Sequence, residues 1–71
     1  MNQPANRFIR LPEVMSKTGL GRASIYRYID MDRFPKPVKI GDRASAWPEH
    51  EIDEWLVARV QSRDKKSAEA R

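Results

Sequence analysis

The sequence predicts a mainly α fold with one small β-hairpin, and three observations predict it. A glycine turn, Thr18-Gly19-Leu20-Gly21, separates two short stretches of helical character. A proline pair, Pro35 and Pro37, then breaks the chain ahead of Val38-Lys39-Ile40 and Ala44-Ser45-Ala46-Trp47, two β-like runs around Gly41-Asp42-Arg43. Finally, Ile52, Trp55, Leu56 and Val60 recur at i, i+3, i+4 and i+8, the stripe of a third helix.

Each element has its own signals. Met1–Asn6 is polar and reads as a flexible N-terminus, residues 1–6. Pro12 followed by Glu13 opens a helix over Pro12–Thr18, because Pro loses nothing in the first turn and Glu complements the dipole. Val14 and Met15 supply its apolar side, flanked by Leu11 and Leu20, and Gly19 stops it. Two glycines within three residues relax the backbone enough for a second helix to start at once, with Gly21 or a neighbour as its cap. That helix spans Arg22–Asp32. At 100° per residue, Tyr28, Ile29 and Asp32 lie within about 60° of Ile25, while Ala23, Tyr26, Arg27 and Asp30 turn outward.

The prolines end the second helix and make Arg33–Pro37 a stiff strut, with Phe34 in the core. The hairpin Val38–Trp47 is marginal alone, so it must pack on the helices, with Trp47 as its anchor. Pro48 opens the last helix, Pro48–Ser62, with Glu49 and Glu51 in its first turn. Residues 7–63 form the domain, and residues 64–71 read as a charged, disordered tail. Helix, turn, helix, hairpin, helix is the order of a winged helix-turn-helix.

Composition narrows the function. A chain of 71 residues is one small domain with a thin core. It contains no Cys and a single His, His50, so no metal site or other cofactor is expected. No apolar run approaches a membrane span and the N-terminus has no signal-peptide core, which predicts a cytoplasmic, nucleoid-associated bacterial protein with no membrane partner. No nucleophile–base set is visible, so an enzyme is not expected.

The net charge of +4 is unevenly spread. Residues 7–43 carry nine Lys or Arg against four Asp or Glu, whereas residues 44–60 carry only Arg59 against Glu49, Glu51, Asp53 and Glu54. Such polarity suits a polyanionic partner on the basic side. The acidic run itself reads as a solvated helix face, with a protein partner as the alternative.

Four stretches in order, Arg7–Val14 (RFIRLPEV), Thr18–Arg27 (TGLGRASIYR), Arg33–Gly41 (RFPKPVKIG) and Trp47–Leu56 (WPEHEIDEWL), resemble the AlpA family of phage and prophage regulators. The resemblance covers residues 7–63. It implies an excisionase-like, MerR-like winged helix-turn-helix that binds double-stranded DNA. One departure is Gly21, where the family commonly has Ser. No long dimerising coiled coil follows, so a MerR-type dimer is not implied.

Carried onto this chain, the resemblance places Arg22, Ser24, Tyr26 and Arg27 on the helix that enters the major groove, and Lys39, Gly41 and Arg43 on the wing. The chemistry fits those residue types. Arg27 points opposite Ile25, and its forked donors match guanine O6 and N7. Tyr26 lies at the flank, with its hydroxyl available to a phosphate. Arg22 and Ser24 occupy the first turn, which favours anions. The Ala23 methyl suits a thymine methyl, or simply gives clearance. Arg43 suits a minor groove or the backbone, and Lys36 and Lys39 are weaker phosphate candidates.

Plainer alternatives stand beside these. Arg27 pairs with Asp30, Tyr26 is half core, Arg22 serves solubility, Tyr28 belongs to the core, and His50 is a surface His. The functional alternatives are a transcription factor, an excisionase that bends DNA, and a protein-interaction adaptor. Self-association on DNA, RNA polymerase and integrase are the further partners these readings bring in.

Overall fold

A computed structural model of the chain describes residues 7–69 and arranges them as β1 (Phe8–Ile9), α1 (Leu11–Thr18), α2 (Arg22–Asp30), β2 (Val38–Gly41), β3 (Ala44–Pro48) and α3 (Glu49–Glu69). The flexible N-terminus expected over residues 1–6 lies outside the described residues.

The helix–turn–helix is closed by local hydrogen bonds. Gly19 takes φ 74°, and its N–H donates to Met15 O at 2.8 Å. Thr18 Oγ1 donates to Val14 O at 2.8 Å and accepts from the Leu20 N–H at 3.2 Å. Gly21 caps α2 as expected, but in an extended conformation (φ −80°, ψ 166°) open to any residue. Only Gly19 therefore needs glycine here; the sequence pattern credits both with that freedom.

α2 stops at Asp30, two residues short of the end read from the sequence. The N–H of Asp32 donates to Ile29 O at 3.0 Å and that of Arg33 to Tyr28 O at 2.8 Å. This is a Schellman closure, with Asp32 at φ 60° in the place glycine usually takes. Aspartate tolerates that conformation better than most residues. The helix thus ends by its own backbone bonds before the prolines act, and Asp32 leaves the apolar face.

The expected hairpin is part of a three-stranded antiparallel sheet in the order β1-β3-β2. Phe8 pairs with Pro48 and Ile9 with Trp47. Two residues are too few to show an alternation, which is why β1 leaves no mark in the sequence pattern. Pro48 likewise ends β3 rather than opening the last helix. α3 begins at Glu49, whose N–H donates to Arg7 O at 2.8 Å. A register shift between Lys39 and Gly41 bulges β2 ahead of the Asp42-Arg43 turn.

Every element except the exposed β2 places one residue in the core cluster, and the strut adds Phe34 to Ile9, Val14, Ile25, Trp47 and Ile52. Trp47 is fully buried, and its Nε1–H donates to Pro35 O at 2.8 Å. Phe34 meets Trp55 edge to face at 4.8 Å, and Trp55 Nε1–H donates to Arg33 O at 2.8 Å. Tyr28 packs half-buried against this cluster. Val60 does not complete the α3 stripe and is 49% exposed. By that turn α3 has passed the end of the layer it packs on, and it continues to Glu69 rather than ending near Ser62.

Candidate nucleic-acid interface

The basic half of the chain divides into two kinds of cation. Arg7 bridges Glu13 at 2.9 Å and Glu49 at 3.3 Å. Lys17 bridges Glu49 at 2.8 Å and Asp53 at 2.7 Å. Hydrogen bonds that Lys17 donates to Asp53 and then to Glu49 hold its ammonium above the ordinary pKa of 10.5. These two cations tie β1 and α1 to the start of α3. Part of the acidic run is therefore an internal clasp, where the sequence suggested a solvated face.

Arg10, Arg22, Arg27, Lys36, Lys39 and Arg43 are different. All are exposed, and none forms an ion pair with a carboxylate among the described residues. Arg27 makes no pair with Asp30; its guanidinium lies 5.6 Å from the Tyr28 ring centre. Arg22 stands 5.8 Å from the ring centre of Tyr26, which is 39% exposed rather than core.

Three of the arginines converge from distant parts of the sequence. Arg10 precedes α1, Arg22 opens α2, and Arg43 lies in the hairpin turn. Together with Tyr26 and Ser45, and with Trp47 beneath, they line one groove of about 580 Å³. Lys39 pairs with Ser45 across the hairpin, so it shares the face that borders the groove. Unpaired guanidiniums on three elements make this a surface for a planar or tetrahedral anion.

The structure brings together Arg22, Tyr26 and Arg43 from the sequence-predicted set. Ala23 and Arg27 occupy the outward face of α2, beside that groove rather than in it. Ser24 is half-buried, and Lys36 sits apart on the strut. Arg10 and Ser45 are additions that sequence reasoning missed. Arg10 had a usable signal: it immediately precedes a proline-marked helix start, where the chain must turn at the surface.

The family described as prophage CP4-57 regulatory protein (AlpA) matches residues 7–60. This chain belongs to the AlpA family. Among AlpA-like proteins, the "DNA-binding transcriptional activator AlpA" of Escherichia coli (strain K12) is 42% identical over 64 residues, covering 82% of this chain and 91% of that one. "Uncharacterized protein ORF88" of Enterobacteria phage P4 is 40% identical over 57 residues, covering 80% of this chain and 65% of that protein. No solved structure matches this AlpA-family chain. Among the described residues no helix is long and apolar enough to cross a membrane.

Proposed function

We propose that this protein is a sequence-specific DNA-binding regulator of phage or prophage transcription. The observation that carries the reading is the convergence of Arg10, Arg22 and Arg43, from three separate stretches of chain and without carboxylate partners among the described residues, beside the outward face of α2. The K12 relative is named a DNA-binding transcriptional activator, which supports the same reading.

In this mechanism α2 enters the major groove along its outward face. Arg27 reads guanine, a bidentate contact giving about 1–3 kcal/mol of base discrimination. Ala23 meets a thymine methyl or leaves clearance. Arg22 and Arg10 neutralise phosphates at the groove edge, and Tyr26 donates its hydroxyl there. The hairpin lies on the adjacent backbone or minor groove through Arg43 and Lys39, with Lys36 as an outlying phosphate contact. One α2 and one hairpin cover few base pairs, so several copies on one site are expected.

Selection of bound fragments from a host-genome library, followed by footprinting at two salt concentrations, tests this. One enriched site upstream of a promoter supports the regulator. Phased repeats beside an attachment site, with DNA bending, would instead assign an excisionase. Binding that is weak, unspecific and flat with salt would sink both and favour a protein-interaction adaptor. Within the selected site, Arg27→Ala should erase base preference with the fold intact.

A further inference from the structure

We infer that Arg33 and Arg59 form a second DNA-phosphate clamp, on the flank of α2 opposite the Arg10–Arg22–Arg43 groove. The inference rests on the DNA-binding reading above. It concerns α3, which in the sequence looks like the acidic, non-binding end of the molecule.

A cavity of about 300 Å³ opens between α2 and α3, lined by Leu20, Tyr28, Arg33, Trp55 and Arg59. Both arginines are exposed, and neither pairs with a carboxylate among the described residues. Each is held in place. The Arg59 guanidinium lies 5.6 Å from the Trp55 ring centre, and Trp55 Nε1–H donates to Arg33 O at 2.8 Å, fixing the backbone that carries the Arg33 side chain. The acids at the start of α3 lie elsewhere: Glu49 and Asp53 face Lys17, and Glu51 and Glu54 border a separate groove with Asp32, while Asp64 pairs with Arg63. Leu20 and the two aromatic rings give an apolar floor with cations at the rim.

The position argues for DNA over an acidic peptide. Tyr28, one wall of this cavity, also carries Arg27 over its ring at 5.6 Å. The cations therefore continue from the outward face of α2 into the cavity. On the helical wheel Tyr28 and Tyr26 lie about 160° apart, so the two cavities flank α2. A helix in a major groove has a phosphate strand on either side, and the groove is about 12 Å wide. One arginine set then meets each strand.

The test uses the full chain and a site found by the selection above. Arg59→Gln and Arg33→Gln are titrated at several salt concentrations, with thermal melts as the control for folding. Each variant should weaken binding about tenfold, equally for cognate and scrambled DNA, and flatten the log K–log salt slope by about 0.9. Arg59→Lys should retain the slope. A purely structural Arg59–Trp55 contact would move the melt and leave the slope alone, which overturns the clamp. Unchanged DNA binding in both variants, with lost affinity for a Glu-rich peptide, also overturns it and assigns the cavity to a protein ligand. If the unmodified protein shows no salt-dependent DNA binding, the underlying function fails first and the clamp with it.

Discussion

The junction of α1 with α3 and the surface of α2 with the hairpin use the same residue types for opposite purposes. At the junction, Arg7 and Lys17 are consumed by Glu13, Glu49 and Asp53. On the α2 side, Arg10, Arg22, Arg27 and Arg43 form no ion pair with a carboxylate among the described residues. The difference teaches that net charge is a poor guide to a binding surface. A cation already paired inside the fold has little left for a ligand, and an unpaired exposed cation adds little to the fold.

The largest break removes the pin that both regions share. Trp47→Ala should cost about 3–5 kcal/mol, enough to unfold a domain of this size. Thermal or urea melts followed by circular dichroism read it directly. A modest shift would mean that the sheet docks on the helices without its central indole.

Next comes the contrast itself. The double variant Arg22→Ala/Arg43→Ala should lose about a hundredfold in DNA affinity at moderate salt while melting within about 0.5 kcal/mol of the parent. Lys17→Met should do the reverse, losing about 0.5–1 kcal/mol of stability and leaving DNA affinity nearly unchanged. If both variants moved both readouts together, the division into clasp and interface would fail.

The clasp also has a pH signature. Because the folded-state pKa of Lys17 is raised above 10.5, its contribution is fully present below that value and disappears as pH rises through the folded value. Stability lost between neutral pH and pH 10 should therefore be the same in the parent and in Lys17→Met. Only above 10.5 should their difference shrink, as pH-dependent melts can show.

The smallest effect sharpens the turn. Gly21→Ser should add a few tenths of a kcal/mol, since the cap is extended and no atom lies within 4 Å of where a Cβ would stand. The same change at Gly19, at φ 74°, should destabilise. Opposite signs for two glycines in one turn would confirm that only one is needed for its conformation.

Much of the fold was legible because its signals are local. Pro12 and Glu13 mark a start, Gly19 a stop, and the spacing of Ile52, Trp55 and Leu56 a buried stripe, all within one or two helical turns. Trp47 was recognisable as an anchor because it is the one aromatic residue of the hairpin. What stayed hidden depends on partners remote in sequence. β1 exists because Trp47 and Pro48 offer it an edge, and Pro48 is strand because Phe8 lies opposite. Asp32 is a local exception: it leaves its helix because a left-handed backbone closes the last turn, a conformation that hydrophobic periodicity does not carry.

The candidate site follows the same rule. Local periodicity placed Ala23, Tyr26 and Arg27 on one outward face, since the geometry of a helix fixes those directions. By itself, then, the sequence determined the order of the elements, the residues able to fill the core, and a cation-rich α2. Only the tertiary structure decided which cations remain available. Arg7 and Arg10 are the same letter; one meets Glu13 and Glu49, and the other reaches Arg22 and Arg43 at a groove. In salt, Coulomb attraction between exposed charges is largely screened beyond about 10 Å, so the neighbours that folding supplies set what each charge can do.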